Sequence, residues 1–124
     1  MEYRKLGSSD LSVSVMGYGA WGIGGAPFWN SEGHTKSLDS IRKAFDLGIN
    51  FFDTAPVYGF GHSEELIGKA LKPVRDKVII ATKCGLRWDK EALGSIRKDA
   101  SRNSILEEVD QSLKRLDTDV IDLY

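Results

Sequence analysis

Residues 48–58 read Gly-Ile-Asn-Phe-Phe-Asp-Thr-Ala-Pro-Val-Tyr and carry the strongest structural signal in the chain. An apolar run ends at Asp53, and a Pro-containing loop then leads to Tyr58, which predicts a short buried strand followed by a turn. A helical pattern over about residues 35–47 precedes the strand, and Gly48 stands where glycine commonly closes a helix. Helix, short apolar strand and loop in this order are typical of a parallel α/β unit.

The same unit recurs along the chain. Main strands are predicted near residues 15–20, 49–53, 78–82 and 120–124, and helices near 35–47, 63–71 and 102–116. Ser63 is expected to cap the second helix, and residues 85–100 are expected to form a long loop. The third helix is expected to bury the face that carries Ile105, Val109, Leu113 and Leu116. A hairpin of residues 3–6 with 11–13 precedes the repeats.

Short apolar strands that alternate with amphipathic helices indicate a parallel α/β sheet, either open and doubly wound or closed as a (β/α)₈ barrel. The longest loops follow the strands, whereas those before the strands are short, and this asymmetry favours the barrel. A whole barrel takes ~250 residues. We therefore expect the 124 residues to be one domain, the first half of a TIM barrel with four parallel strands after an N-terminal β-hairpin.

Residues 17–22 read Gly-Tyr-Gly-Ala-Trp-Gly and match the dinucleotide-binding fingerprint G-x-G-x-x-G. In that fingerprint the third glycine opens a helix whose N-terminus holds the pyrophosphate. The next residues, Ile23-Gly24-Gly25-Ala26-Pro27, cannot start a helix promptly, so we reject a Rossmann site. The glycines still allow a flat ring to approach the backbone closely.

Three reactive side chains follow predicted strands: Asp53, Tyr58 and Lys83. Taken singly, each has a commoner explanation, namely a turn-capping acid, a packed aromatic ring and a solvated charge. Together they can build a proton-donating site, because an ammonium beside a phenol favours its ionised form and so eases donation of the proton. Trp88, on the loop after the third strand, can wall a substrate pocket or pack against a neighbouring loop.

A set of motifs that spans nearly the whole chain resembles the aldo-keto reductase superfamily in order and spacing. The motifs are Gly17–Gly22, Gly48–Ala55, Tyr58-Gly59, Ser63-Glu64, Thr82-Lys83, Ser112–Leu116 and Asp119–Tyr124. The resemblance implies a barrel enzyme that uses NADPH to reduce carbonyl compounds to alcohols.

The resemblance also implies roles for individual residues. Tyr58 matches the catalytic acid that contacts the substrate, Lys83 the ammonium beside it, and Asp53 the carboxylate paired with that lysine and near the cofactor ribose. The family's fourth catalytic residue, a His, would fall about three positions past Tyr124.

The cofactor stretch of the family also has a counterpart in this chain. Gly19, Ala20, Trp21 and Gly22 match the residues under the nicotinamide end. The loops that hold the rest of the cofactor belong to the second half of the barrel. We therefore expect the 124 residues alone to be nearly inactive.

Composition and charge limit the partners. The net charge of −1 gives no electrostatic case for nucleic acid, and no apolar run approaches the ~20 residues of a membrane span. Cys84 is the single cysteine, which fits a reducing compartment, so we expect a cytoplasmic protein without a metal site.

The open half-barrel should pair with a second copy or with the complementary C-terminal half. Two other readings stay open: a non-catalytic NADP-binding regulatory subunit of the same family, and a structural half-barrel assembly module.

Overall fold

The computed structural model describes residues 1–26 and 33–124. It begins with an antiparallel hairpin of β1 (Tyr3–Lys5) and β2 (Ser12–Ser14), as predicted. Asn50 fastens this hairpin to the sheet: its Oδ1 accepts the Ser14 N–H at 2.7 Å, and its Nδ2 donates to the Ser12 carbonyl at 2.9 Å. Because Asn50 precedes a main strand, the hairpin lies at the N-terminal end of the sheet.

The central sheet is parallel and has the order β3 (Tyr18–Gly19), β4 (Phe51–Asp53), β5 (Ile79–Ala81). The register aligns Gly19 with Asp53 and Asp53 with Ala81. The three strands therefore end level with one another, and the residues that follow them meet at one edge of the sheet, as barrel sites do.

Three helices cover one face of this sheet: α1 (His34–Asp46), α2 (His62–Leu71) and α3 (Arg102–Leu116). Phe52 and Ile80 pack between the sheet and the helices with no exposed surface, together with Ile41 and Ile67. Within residues 1–26 and 33–124, no helix is both long enough and apolar enough to cross a membrane.

The predicted count of four parallel strands is not confirmed. Residues 120–124, predicted as the fourth strand, contribute an isolated parallel bridge between Ala81 and Leu123. The side chain of Asp122 takes part of the role of a strand backbone there, because its Oδ2 accepts the Ile80 N–H at 2.9 Å and also binds Arg75 at 2.7 Å. This arrangement holds the segment beside β5 without a regular ladder.

The predicted long loop over residues 85–100 contains a small antiparallel hairpin of β6 (Leu86–Arg87) and β7 (Arg97–Lys98). Each of these strands has two residues and carries a basic side chain, so hydrophobic alternation gives no signal for it. Three short 3₁₀ turns complete the described structure: Gly22–Gly24, Lys72–Lys77 and Leu93–Ser95.

The bounds of α3 agree with the prediction, and Ser101 caps the helix by accepting the Ser104 N–H at 3.3 Å. The predicted buried face is wrong except at Leu116. The side of α3 that is fully buried carries Ser104, Glu108, Ser112 and Leu116, whereas Ile105, Val109 and Leu113 are only half-buried. Polar groups occupy the inner face because each finds a hydrogen-bond partner there.

Candidate active site

Lys83 and Asp53 form an ion pair at the C-terminal edge of the sheet. The Lys83 Nζ lies 2.8 Å from Asp53 Oδ1 and donates a second hydrogen bond, also of 2.8 Å, to the Thr54 carbonyl. The side chains are 47% and 42% exposed, so the pair is worth only about 0–1 kcal/mol in stability. The Lys83 ammonium is therefore accessible and is held in place by two acceptors.

Tyr58 lies beside this pair, as predicted. The Lys83 Nζ is 5.2 Å from the centroid of the Tyr58 ring, within the distance at which a cation interacts with an aromatic face. A tight turn delivers the ring, because the Tyr58 N–H donates to the Ala55 carbonyl at 3.1 Å. Asp53, Tyr58 and Lys83, which the sequence places on two separate βα loops, thus form one cluster.

A contact between two glycines holds the Tyr58 loop, and sequence reasoning missed it. A Cβ on Gly59 would lie 1.9 Å from the Gly24 carbonyl oxygen, and a Cβ on Gly24 would lie 2.8 Å from the Tyr58 carbonyl carbon. The two backbones therefore approach more closely than any side chain allows. Both positions are glycine in the sequence, but only the fold reveals that they face each other.

This contact predicts unequal effects for two Gly→Ala substitutions. Gly7 and Gly59 have similar positive φ values, 59° and 64°, but no atom of the described residues lies within 4 Å of a Cβ on Gly7. Gly7→Ala should cost about 1–2 kcal/mol of unfolding free energy from backbone strain alone. Gly59→Ala should cost roughly 2–5 kcal/mol, because overlap with Gly24 adds to the strain. Urea denaturation of both variants measures the difference, and equal losses would mean that the contact does not constrain the loop.

Residues 19–22 form an open strip beside the cluster. Among residues 1–26 and 33–124, nothing lies within 4 Å of a Cβ built on Gly19 or Gly22. Trp21 is 47% exposed, and its ring lies 6.2 Å from that of Tyr58. Ala20 is fully buried and contributes its backbone, whose N–H donates to the Asp53 carbonyl at 2.8 Å. Open space on a bare backbone next to an exposed indole fits a flat ring such as nicotinamide.

Tyr58 and Lys83 also line a pocket of about 140 Å³. Its other lining residues are Ala55, Pro56, Val57, Cys84, Leu86 and Glu108. The structure places Trp88 in a neighbouring pocket, with its ring 5.5 Å from that of Phe60 and beside Arg87. Trp88, predicted to contact the substrate, thus lies next to the Tyr58 pocket and does not line it.

Tyr124 lies beside Cys84 and Glu108, two residues that line this pocket, and its environment predicts a pH effect. The pKa of its phenol is raised above the ordinary value, chiefly by partial burial of a residue that is still 42% exposed, and then by the neighbouring Cys84 and Glu108. Because the folded state favours the neutral phenol, this stabilisation is fully present below the ordinary pKa of about 10 and is lost as the pH rises above it. Urea denaturation should therefore show a smaller loss of stability between pH 8 and pH 11 in Tyr124→Phe than in the wild type. Equal losses would contradict the assignment.

Comparison with known proteins identifies the family of this chain. The profile of the aldo/keto reductase family matches residues 15–124. An aldo-keto reductase of Bacillus subtilis, YhdN, is 48% identical over 126 residues, covering 100% of this chain and 37% of the relative. The NADH-specific methylglyoxal reductase of Escherichia coli is 44% identical over 133 residues, covering 100% of this chain and 41% of the relative.

A solved structure agrees with these relatives. An aldo-keto reductase from Bacillus halodurans, in its holo form, superposes with a TM-score of 0.89 at 40% identity, over 100% of this chain and 39% of that one. The chain thus spans well under half the length of the proteins that it matches. On the family profile, the relatives and the shared fold, the chain belongs to the aldo/keto reductase family.

Proposed function

We propose that this chain carries the proton-donating part of an NADPH-dependent reductase that converts aldehydes and ketones to alcohols. The observation that carries the proposal is the position of the Lys83 Nζ, 2.8 Å from Asp53 and 5.2 Å from the Tyr58 ring centroid. The open strip at Gly19 and Gly22 lies beside that cluster and supports a flat cofactor ring there.

The chemistry follows from these positions. A bound reduced nicotinamide supplies the hydride. Negative charge develops on the carbonyl oxygen, and a donor aimed at that oxygen stabilises the transition state. Tyr58 donates the proton from its hydroxyl group, Lys83 favours the phenolate that donation leaves, and Asp53 orients Lys83. Gly19, Trp21 and Gly22 flank the space for the nicotinamide end.

The choice of NADPH over NADH rests on resemblance to the family, and the Escherichia coli relative is NADH-specific. The residues that select the adenosine 2′-phosphate lie, by the same resemblance, outside this chain. Fluorescence titration with each cofactor decides the question when this chain is joined to its own C-terminal half, because a half taken from a relative brings that relative's preference. Tighter binding of NADPH supports the proposal, and a preference for NADH would correct it.

A chimera tests the activity directly. It joins residues 1–124 to the remainder of the Bacillus halodurans enzyme, in place of the segment of that enzyme which they match. When small aldehydes are added to the chimera with NADPH, the absorbance at 340 nm should fall, because NADPH is oxidised. A chimera that binds the cofactor without turnover would instead favour the non-catalytic, regulatory reading, and one that folds without binding it would leave only the structural module.

We further propose that a small-molecule carbonyl compound is the substrate, and that a complementary half-barrel or a second copy of the chain covers the open side of the sheet. Apolar side chains beside the two edge strands are well exposed: Val15 at 47% and Met16 at 62% precede β3, and Leu123 at 41% forms the bridge to β5. Burial of such surface drives association. Light scattering of the pure chain should therefore show a dimer or larger species, and a stable monomer at high concentration would contradict self-association.

A further inference from the structure

A buried polar network lies directly behind the candidate site, on the helix side of the sheet. Its members Thr54, Ser63 and Glu64 have no exposed surface, and Thr82 is 3% exposed. Ser63 and Glu64 stand in the first turn of α2, and the threonines directly follow β4 and β5. The network thus joins the start of one helix to the ends of two strands.

Ser63 binds three separate segments. Its Oγ donates to the Ala20 carbonyl at 2.8 Å, and since a hydroxyl group has one proton, the 2.9 Å contact with Thr54 Oγ1 must be donated by Thr54. The Ser63 N–H donates to the Tyr58 carbonyl at 3.2 Å. The end of β3, the end of β4 and the Tyr58 turn therefore converge on one small side chain and its backbone.

Glu64 binds Thr82, the residue that directly follows β5. Its Oε1 accepts the Thr82 hydroxyl at 2.6 Å, and its Oε2 accepts the Arg115 Nε at 2.6 Å. The Arg115 side chain is only 17% exposed, so the carboxylate has its charge partner inside the protein. Glu64 thereby ties the residue before Lys83 to α3.

This use of Ser63 differs from the capping role predicted from the sequence. The N-cap of α2 is Gly61, and no side chain caps the helix there. The two polar residues that follow bind strand ends instead. Buried charged contacts of this kind often add no more stability than apolar packing of the same volume, so stability alone does not explain this network.

Resting on the proposed function, we propose that Ser63 and Glu64 are positioning residues that set the distances between Tyr58, Asp53 and Lys83. The chain of contacts is direct. Thr54 follows Asp53, and its carbonyl accepts the Lys83 Nζ at 2.8 Å. Thr82 precedes Lys83, and the carbonyl of Tyr58 is bound to Ser63. A shift at either residue of α2 therefore moves a member of the cluster.

The test separates positioning from stability with two variants. One breaks the contact between Glu64 and Thr82, and the other keeps that contact but breaks the charge pair with Arg115. Thr82→Val keeps the side-chain shape and removes only the hydroxyl group that binds Glu64. Glu64→Gln keeps an oxygen that can accept from Thr82 but removes the charge that pairs with Arg115. If the network positions Lys83, Thr82→Val disturbs the Lys83 ammonium, although the loss of one donor to a buried Glu64 oxygen costs less stability than the loss of the charge pair with Arg115. Glu64→Gln leaves the ammonium in place although it costs more.

The readout is the ammonium signal of Lys83 in a ¹⁵N-lysine NMR spectrum of the 124-residue chain, assigned by its loss in Lys83→Arg. We expect hydrogen exchange of this ammonium to become about fivefold faster in Thr82→Val, because a backbone released from Glu64 weakens the hydrogen bonds of the Lys83 Nζ to Asp53 and Thr54 by about the free energy of one such bond. Thr54→Val should act in the same direction. Glu65→Gln, in the same turn of α2 but with a 60% exposed side chain, is the matched control and should change nothing.

Exchange that follows the loss of stability across all four variants would overturn the proposal, because the network would then be structural only. An unchanged Lys83 signal in Thr82→Val would also overturn the proposal. This readout needs no turnover. An inactive wild-type chimera would therefore refute the proposed reductase and leave the positioning result standing or falling on its own.

Discussion

Replacing Tyr58 with Phe is expected to lower the kcat of the chimera with the Bacillus halodurans enzyme by about 10²–10⁴-fold, the range that a positioned general acid contributes. The substitution removes the hydroxyl group and keeps the ring, so its contact with Trp21 at 6.2 Å persists. Cofactor binding should change little, because the backbone strip at residues 19–22 is untouched. Steady-state kinetics of the chimera, with the Kd for NADPH measured by fluorescence, check both parts.

Tyr18→Phe is the matched control for this substitution. The Tyr18 hydroxyl lies 3.0 Å from Ser40 Oγ, and its ring packs against Phe52, away from the cluster. This variant should lose some stability and keep its kcat within about threefold, since no group near the carbonyl changes. Comparable losses of kcat in the two variants would mean that Tyr58 acts through folding and does not donate the proton.

Replacing Arg115 with Met is expected to lower the free energy of unfolding by about 3–5 kcal/mol, the usual effect of removing one partner of a buried ion pair. Glu64 would remain buried with only the Thr82 hydroxyl to bind, because the 2.6 Å contact from Arg115 is lost. Such a loss is a large part of the total stability of a small domain. Urea denaturation followed by circular dichroism measures it.

Two comparisons make this prediction specific. Glu107→Ala breaks the ion pair with Arg87, in which the Glu107 side chain is 62% exposed, and should cost less than about 1 kcal/mol. The double variant Glu64→Leu/Arg115→Met removes both charges and should recover most of the stability lost in Arg115→Met. A double variant less stable than either single variant would show that apolar packing cannot replace the pair.

The sequence predicts the skeleton of this fold because its signals are local. The apolar runs before Asp53 and Lys83 mark β4 and β5, and the pattern of residues 102–116 marks α3 with its observed bounds. Since the ends of parallel strands meet at one edge, the same reading places Asp53, Tyr58 and Lys83 together. This prediction of a shared site required only the order of the helices and strands and the identity of the residues that follow each strand.

The parts that the sequence did not reveal depend on pairing between distant residues. The inner face of α3 carries Glu108 and Ser112. Hydrophobic periodicity assigns these polar residues to solvent, because it contains no information about distant residues that hydrogen-bond them. Ser63 looks like a helix cap until the fold brings Ala20 to its hydroxyl group. Gly24 and Gly59 resemble ordinary loop glycines until their backbones are found in contact.

The most direct test of the central claim is a crystal structure of the chimera with NADPH and a slowly reacting carbonyl compound bound, in which the distance from Tyr58 Oη to the carbonyl oxygen is measured. We predict about 2.6–3.2 Å, the reach of a proton donor, with the Lys83 Nζ still bound to Asp53. A carbonyl oxygen that binds another donor and leaves Tyr58 out of hydrogen-bond range would contradict the account.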